Sequence, residues 1–552
     1  MKQCYINKEI IRYGIGLCLL CIIILYPQVA YSLCQDSFSV SYIFTGLIFL
    51  LPVIAFAMLL PRKWLYCILT IICTIISIIE LTMVDLFSGY LQPGGILSTI
   101  MTNPQEASEF YDTNLHEVWK WIPLIVLCLA SCWCFKRVGI KKWKYGFASS
   151  FILIPMLFIT YKLTIFYHDD PLTIRFYLDN RVWNRPPYNV IYASMGAYRI
   201  LEQRKMIEQA ANVNFGAHRD SIPSKKEIYV FAVGESLRYR NVSLNGEYPR
   251  STTPRLEALD NLMLFDNYYS QACFTMLSVP MLVTRATPVN YEINYAERSI
   301  VEPFTEAGFR TYVIVNTNLL SYEKYLSAGC DSLIIVPQDA DGRNIKSGDN
   351  SFVNIIDSLA NIHEKLFVMC QFYGNHAFFT NYDVSCDVYH PNINDAGVSR
   401  SLETMINAYD NSILYTDYVL SSIIETINRP NTISAFMFVS DHGEDVRWDS
   451  AGHGGNCAPI KDEYHVPFIF WWSDDYAEQY PDKIHYALTH KAAKLNGDVM
   501  FYSLCGMADI QLDSIYTHTH THTWNVLSSE FQEHERLVML PDGVNMLNPD
   551  KY

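Results

Sequence analysis

Acidic and histidine side chains follow three apolar runs in the second half of the sequence. Glu235 follows EIYVFAVG, Asp441 and His442 follow AFMFVS, and His376 comes shortly after KLFVMCQF. If these runs are strands of one open α/β sheet, their carboxyl ends share an edge where functional side chains collect. Carboxylate oxygens combined with imidazole nitrogens suit zinc. A single such residue is more often a helix cap, but their joint placement predicts a metal site.

The elements that must position these residues have the pattern of an α/β domain. Short runs rich in β-branched and aromatic residues cover 227–233, 310–315, 365–372, 435–440 and 465–472. They predict buried, largely parallel strands, and apolar residues at helical spacing over 401–427 predict a long helix between them. We therefore expect residues 226–552 to form a mostly parallel central sheet sandwiched by helices. Before it, 168–225 is predicted to be a polar linker, extended around the prolines of RPPYNVIY (185–192).

The first third of the chain has the composition of a membrane domain. Half of the 552 residues are hydrophobic and 18% are charged, against about 25% in a typical soluble protein. Apolar stretches at about 10–31, 41–60, 64–86, 120–135 and 146–167 each approach the roughly 20 residues that cross a bilayer. A cleaved signal peptide is the alternative for the first stretch, but no small-x-small cleavage site follows it. Residues 1–167 are thus predicted to form a domain of five spans.

Lysine and arginine in the connections predict the orientation of these spans. Basic residues precede span one and lie between spans two and three and between spans four and five, whereas 35–40 and the loop 87–119 have almost none. The positive-inside rule then places the amino terminus in the cytoplasm. After five crossings, everything beyond about residue 168 lies outside the cytoplasmic membrane.

The overall charge excludes one class of partner. The chain has 41 Lys and Arg against 56 Asp and Glu, a formal net charge of −15. Nucleic-acid binding needs clustered basic residues, so no nucleic-acid partner is expected. Most of the nine cysteines before residue 140 lie inside apolar runs, where cysteine acts as a small hydrophobe, and the other six are scattered without CxxC spacing.

Several segments together resemble one family. These are VGESLRYRNVSLNGEYPRSTTP (233–254), QACFTMLSVP (271–280), YGNH (373–376), YDNSILYTDYVL (409–420), SDHGED (440–445) and GHGG (452–455). In this order, after five amino-terminal spans, they resemble the bacterial phosphoethanolamine transferases. That family belongs to the alkaline phosphatase/sulfatase superfamily and includes enzymes that modify lipid A and confer polymyxin resistance.

The resemblance implies a zinc site made of Glu235, Thr275, Asp441 and His442. Thr275 is then the nucleophile, three residues before the SVP element. The chemistry of threonine agrees with this role, because metal coordination is one of the few ways to make its hydroxyl reactive near neutral pH. A helix-start cap is the alternative for Thr275, and it is the interpretation we assign to Thr252 and Thr253.

Two further histidines, His376 and His453, match family residues that contact the phosphate or a second metal. A histidine there can supply positive charge or a proton to the leaving group. Their alternative is an ordinary surface role, and Lys461 is interpreted as a structural or rim residue. We expect one tight zinc site, with a second, transient metal as an open alternative.

The loop between spans three and four resembles the family's donor-lipid segment. In STIMTNPQEA (98–107), Thr102 and Glu106 are candidate donor-lipid contacts, and Ser98 is a weaker one because the family pattern has Asn there. A carboxylate near the membrane surface can pair with an ethanolamine ammonium. An amphipathic interface helix is the alternative.

Two features distinguish the chain from the lipid A enzymes, and a third has no assigned role. The lipid A enzymes flank the nucleophile with a disulfide, whereas Gln271 and Met281 occupy those positions here. The segment SLNGEYPRSTTP is similar to enzymes that modify lipopolysaccharide core sugars, so the acceptor stays open. The tract THTHTHTW places His518, His520 and His522 on one face of any strand, yet nothing ties it to the other motifs, and we interpret it as incidental.

The predicted protein is a periplasm-facing, multi-pass transferase of the inner membrane. It would move phosphoethanolamine from phosphatidylethanolamine, through a phosphothreonine, to lipid A or a lipopolysaccharide core, and act as a monomer among membrane lipids. The alternatives are a phosphoglycerol transferase of the lipoteichoic acid synthase type and a non-catalytic, membrane-anchored binding or sensory protein. A sulfatase hydrolase is disfavoured, because CFTML lacks the C/S-x-P-x-R setting of that class.

Overall fold

The computed structural model describes most of the carboxyl-terminal two-thirds of the chain and parts of the first third. The described residues are 2–34, 40–60, 62–87, 90–91, 95–96, 99–100, 115–135, 150–157, 185–207, 214–316, 326–336, 348–376, 379, 382–446, 461–513, 523–541, 543 and 545–551. They divide into two units. One consists of Met1–Ile96, Asn114–Ala197 and Gly455–Ala458, and the other of Leu97–Thr113, Tyr198–Gly454 and Pro459–Tyr552.

The first unit is built from long apolar helices. They are α1 (Lys2–Cys34), α2 (Val40–Leu59), α3 (Lys63–Phe87), α4 (Ile122–Cys134) and the start of α5 (Tyr188–Ile207), and residues 150–157 are helical too. Within the described residues, Ile11–Leu33 and Lys63–Asp85 are long and apolar enough to cross a membrane, and Gly46–Leu59 and Val118–Cys134 are shorter apolar helices. The predicted count of five spans therefore stays a prediction.

Large apolar side chains remain exposed on these helices. Ile75 of α3 is 53% exposed, and Leu129 and Trp133 of α4 are each 67% exposed. An apolar surface of this kind would be costly in water and suits a lipid environment. A membrane-embedded helical region is thus consistent with both the composition and the surface of this unit.

One carboxylate of the first unit is fully buried. Glu80 of α3 accepts hydrogen bonds from the Asn189 amide (2.7 Å) and from the backbone N–H of Leu91 (3.1 Å). Asn189 lies in the first turn of α5, so the prediction of extended structure over 185–192 was wrong from Tyr188 onward. The backbone N–H groups of Tyr188 and Asn189 bond to the Arg185 carbonyl. Prolines just before a helix are tolerated because their fixed φ suits the first turn, where no N–H is needed.

The second unit is organised around a seven-stranded sheet. In the order β2-β8-β7-β1-β6-β4-β5, its strands are β1 (Lys226–Gly234), β2 (Leu262–Phe265), β4 (Arg310–Val315), β5 (Ser332–Ile335), β6 (Lys365–Gln371), β7 (Thr432–Ser440) and β8 (Phe468–Trp472). Two small sheets pair β3 (Tyr268–Tyr269) with β9 (Leu495–Asn496) and β10 (Val538–Met539) with β11 (Met546–Leu547). The five predicted runs all contain strands, whereas β2 and β5 were not predicted because each is only four residues long.

The sheet is mixed rather than wholly parallel. Strand β1 pairs in parallel with β6 and β7, and β4 with β5 and β6, but β8 is antiparallel to both β2 and β7. The prediction of largely parallel strands therefore holds among the other four predicted runs but not for 465–472, since a continuous apolar run is compatible with either direction. Because β8 runs back from the edge where β7 ends, the chain segment that joins them begins and ends at that edge.

Helices cover both faces of this sheet. They are α6 (Pro254–Glu257), α7 (Thr275–Val283), α8 (Ile293–Ala296), α9 (Val301–Glu306), α10 (Ser351–Ile362), α11 (Leu402–Ile427), α12 (Lys461–Tyr464), α13 (Asp474–Gln479), α14 (Pro481–Thr489) and α15 (Val499–Met507). Alternate residues of β1 enter two separate cores. Phe231 packs with residues of α7, α9 and α15, whereas Val230 packs with residues of α10 and α11. The predicted helix over 401–427 is confirmed as α11, which Ser401 caps.

Candidate active site

The register of the central strands brings two candidate residues together. In the parallel pair β1 and β7, Gly234 lies opposite Ser440, so the next residues along both strands are neighbours. Glu235 follows β1, Asp441 follows β7, and the Asp441 N–H donates to the Gly234 carbonyl at 3.1 Å. Two carboxylates thus meet at the carboxyl edge of the sheet, where the sequence predicted them.

Glu235, Asp441 and His442 form a buried cluster with the chemistry of a cation site. Their candidate ligand atoms all lie within 4.8 Å of one another. His442 Nε2 is 3.1 Å from Glu235 Oε1 and 3.4 Å from Asp441 Oδ2. Asp441 Oδ2 is buried and accepts no hydrogen bond from the described part of the chain. Two buried carboxylates beside an imidazole fit zinc, which would neutralise the negative charge of the carboxylates.

A hydrogen bond at the other ring nitrogen, Nδ1, favours the tautomer of His442 that can bind a cation through Nε2. Nδ1 lies 2.8 Å from the Gly443 carbonyl oxygen, an acceptor, so in the neutral ring Nδ1 carries the proton and Nε2 presents a lone pair to the carboxylates. Without a cation, burial lowers the pKa of His442, but Asp441 and Glu235 outweigh burial and raise the pKa to about 10. Burial, followed by the charge of Glu235, raises the pKa of Asp441 well above its ordinary value.

Thr275 lies beside this cluster as the first residue of α7. Its hydroxyl is 3.2 and 3.3 Å from the two carboxylate oxygens of Glu235 and 3.2 Å from His442 Nε2. The N-cap of α7 is Phe274, which makes no side-chain cap bond, so the Thr275 hydroxyl is directed to the cluster rather than to a helix cap. All four residues that the sequence singled out for zinc are therefore within contact distance.

Thr252 and Thr253 lie in a different hydrogen-bond network. Thr252 Oγ1 donates to the Asn241 carbonyl at 2.5 Å and accepts the Ser243 N–H. Thr253 is the N-cap residue of α6 but makes no side-chain cap bond, and its hydroxyl accepts the Leu244 N–H at 2.8 Å. These hydroxyls hold the segment that follows the turn after β1.

The loop YGNH packs against the backbone of Glu235. The Asn375 N–H donates to the Glu235 carbonyl at 3.0 Å. Gly374 has φ +54°, and a Cβ there would lie 2.9 Å from the same carbonyl oxygen, so this position needs glycine. Asp349 holds the loop by accepting the N–H groups of Tyr373 and Gly374, each at 3.0 Å. His376, half-buried, ends this loop.

The other predicted contact residues fall outside the described residues. They are His453, the donor-segment residues Ser98, Thr102 and Glu106, and the histidines His518, His520 and His522. Lys461, predicted to be a rim residue, is exposed at the start of α12. Gln271 and Met281 are both buried.

Two residues at the site had no role in the sequence interpretation. Ser236 donates its hydroxyl to Glu235 Oε1 at 2.9 Å and its N–H to Asp441 Oδ1 at 3.2 Å. Glu444 is buried, and burial raises its pKa to about 8 against the opposing charge of His442. Both lie inside quoted motifs, GES and SDHGED, so the only available signal was their position next to the candidate ligands.

Comparison with known proteins agrees with this architecture. The sulfatase family model matches residues 227–510. Phosphoethanolamine transferase EptA of Escherichia coli K12 is 24% identical over 413 residues, covering 70% of this chain and 72% of the relative, and EptC of the same strain is 23% identical over 432 residues, covering 74% and 72%.

Solved structures share the fold. The integral membrane lipooligosaccharide phosphoethanolamine transferase A (EptA) from Neisseria meningitidis matches with a TM-score of 0.70 at 18% identity, covering 93% of this chain and 97% of that one. The periplasmic domain of Escherichia coli EptC, solved in complex with Zn, matches with a TM-score of 0.53 at 21% identity, covering 62% and 97%. This chain belongs to the sulfatase family, and its relatives include phosphoethanolamine transferases.

Proposed function

We propose that this protein transfers phosphoethanolamine from phosphatidylethanolamine to a cell-envelope glycolipid, either lipid A or the lipopolysaccharide core. The observation that carries the proposal is the Thr275 hydroxyl, which lies 3.2 Å from His442 Nε2 and within 3.3 Å of both Glu235 oxygens. A hydroxyl held against two potential metal ligands is the arrangement that an activated nucleophile needs. The relatives named phosphoethanolamine transferase support the same reaction class.

The residues proposed to hold zinc are Glu235, Thr275, Asp441 and His442. The support is the unbonded Asp441 Oδ2, the Nε2 lone pair of His442, and the burial of both carboxylates. When bound, zinc would lower the pKa of the threonine hydroxyl and withdraw charge from the phosphoryl group. We propose one tight site, and the Zn complex of the EptC domain supports the identity of the metal.

The chemistry has two steps. The Thr275 oxygen bonds to the donor phosphorus, the bond from phosphorus to the glycerol oxygen breaks, and diacylglycerol leaves with a proton. An oxygen of the acceptor then bonds to phosphorus, the bond to Thr275 breaks, and the threonine oxygen regains a proton. His376 and His453 are proposed to stabilise phosphoryl charge or to supply the proton of the leaving group.

Membrane attachment follows from this chemistry, because donor and acceptor are both lipids. We propose that five spans hold the catalytic unit at the periplasmic face of the inner membrane as a monomer. The segment with Ser98, Thr102 and Glu106 is proposed to bind the donor, with Glu106 pairing with the ethanolamine ammonium. Confinement to one surface would raise the effective concentration of both substrates.

A covalent intermediate tests the proposal. Incubation of the full-length protein with phosphatidylethanolamine and no acceptor should leave a phosphoethanolamine adduct on the peptide that contains Thr275. Thr275→Ser should retain some adduct, since a primary hydroxyl can still attack, whereas Thr275→Ala should have none at any donor concentration. An active Thr275→Ala protein, or an adduct on Thr252, Thr253 or Ser278, would refute the assignment.

The acceptor is tested in cells. Mass spectrometry of envelope glycolipids with and without the gene should reveal a phosphoethanolamine increment on lipid A or on core sugar. A phosphoglycerol increment would instead support the lipoteichoic acid synthase type of reaction.

A further inference from the structure

The turn that follows β1 is strained and orients two of the proposed zinc ligands. Ser236 has φ +58°, a left-handed conformation that is unfavourable for residues other than glycine. In this conformation its hydroxyl bonds to Glu235 and its N–H to Asp441. Both carboxylates therefore depend on a backbone conformation that Ser236 does not prefer, and such a conformation persists only when its surroundings impose it.

One side chain from outside the turn bridges it. Tyr409, fully buried in α11, donates its hydroxyl to the Ser236 carbonyl at 2.8 Å and accepts the Arg238 N–H at 2.9 Å. The Arg238 guanidinium lies 5.3 Å above the Tyr409 ring, and Phe379 contacts the ring edge-on at 4.9 Å. The ring is thus fixed on two sides, and its hydroxyl closes the turn from residue 236 to residue 238.

The same face of α11 holds the second loop that meets Glu235. Ser412 accepts the Asn375 amide N–H at 2.8 Å, and the Thr416 hydroxyl donates to Asn375 Oδ1 at 3.2 Å. Positions 409, 412 and 416 are three and four residues apart, the spacing of one helix face. One buried polar stripe of α11 therefore contacts both loops that adjoin Glu235.

We propose that Tyr409 is a positioning residue that sets the geometry of the zinc site through Ser236, without touching metal or substrate. This inference rests on the proposed zinc-dependent function, because metal affinity reports the geometry. It predicts that the phenolic hydroxyl affects how tightly zinc binds, although this hydroxyl bonds to the backbone of Ser236 and Arg238 and not to a proposed zinc ligand.

The test is zinc affinity of the full-length protein in detergent, measured by competition with a chelator. Tyr409→Phe keeps the ring contacts and removes only the hydroxyl, and we expect zinc to bind about tenfold more weakly, the effect typical of residues that orient a ligand. Ser236→Ala should act similarly. The zinc affinity of the double variant should fall by a factor much smaller than the product of the two single-variant factors, because both substitutions act on one turn.

Tyr476→Phe is the matched control. Tyr476 is also fully buried and donates its hydroxyl to the Met507 carbonyl at 2.9 Å, away from the turn after β1. This variant should lower the unfolding temperature yet leave zinc affinity unchanged, which separates a general loss of stability from a loss of geometry. Ser412→Ala serves as a second test variant, with a smaller weakening expected.

The outcomes distinguish the inference from the function on which it rests. A wild-type protein that binds no zinc would overturn both. Wild-type binding with unchanged affinity in folded Tyr409→Phe and Ser412→Ala would overturn the positioning role alone. So would fully multiplicative effects of Tyr409→Phe and Ser236→Ala, because independent effects would exclude a shared turn.

Discussion

Replacing Asp441 by asparagine should change stability in opposite directions with and without zinc. Asparagine keeps the shape of the side chain, and its Oδ1 can still accept the N–H groups of Ser236 (3.2 Å) and His442 (2.7 Å). The exchange removes one of two adjacent buried negative charges. In the chelated protein this relieves repulsion with Glu235, so Asp441→Asn should unfold at a higher temperature than the wild type.

The magnitude of the zinc effect follows from binding linkage. Burial and the charge of Glu235 raise the pKa of Asp441 well above its ordinary value, so the charged carboxylate is disfavoured without a cation and its replacement by asparagine should stabilise the chelated protein. Zinc at a thousandfold excess over its Kd stabilises the wild type by about 4 kcal/mol. If affinity falls on the order of a hundredfold, zinc stabilises the variant by only about 1.4 kcal/mol.

Thermal unfolding of the full-length protein in detergent measures both effects. At about 2 °C per kcal/mol, zinc should raise the unfolding temperature by about 8 °C in the wild type and about 3 °C in Asp441→Asn. Asp417→Asn is the control, since Asp417 is also buried and accepts two backbone N–H groups, those of Arg255 and Leu256. Its zinc response should equal that of the wild type. A chelated Asp441→Asn that melts below the chelated wild type, or an equal zinc response, would refute the reasoning.

Three further predictions concern topology, the YGNH loop and pH. Reporter fusions after residues 62 and 140 should report a cytoplasmic location and fusions after 100 and 200 an external one; a cytoplasmic signal at 200 would contradict donor access. Asp349→Asn, which weakens the acceptor for two loop N–H groups, should cost about 1–2 kcal/mol of stability and lower turnover, and unchanged turnover would exclude a role for the loop. Burial between Tyr239 and Tyr269 lowers the pKa of His465 to about 4, so the folded state binds fewer protons than the unfolded one and stability should fall by roughly 3 kcal/mol from pH 6.5 to pH 4. His465→Phe should flatten this slope, and parallel unfolding curves for variant and wild type would show that His465 does not titrate in this way.

Local pattern was sufficient to predict the five longest strands and the longest helix of the catalytic unit. The strands at 227–233, 310–315 and 365–372 lie in continuous apolar runs, and the helix at 401–427 has apolar residues at helical spacing. Short strands and strand direction were not predictable in this way. β2 and β5 have four residues each, and the direction of β8 depends on its neighbours in the sheet. The helix that begins at Tyr188 was not predicted, because two consecutive prolines favour extended structure in the residues that precede them, although a helix can begin directly after them.

For the candidate site, too, the sequence predicted some features and the tertiary structure decided others. Sequence by itself was enough to select Glu235, Asp441 and His442, because polar residues that directly follow parallel buried strands lie at the same edge of the sheet. Only the tertiary structure decided how these side chains are held. The left-handed Ser236, the Tyr409 hydroxyl and the Asp349 carboxylate make long-range hydrogen bonds to groups that lie 24 to 205 residues away in sequence. Hydrogen bonds of that range leave no periodic trace in a sequence, since they depend on which helix face and which loop the folded chain brings together.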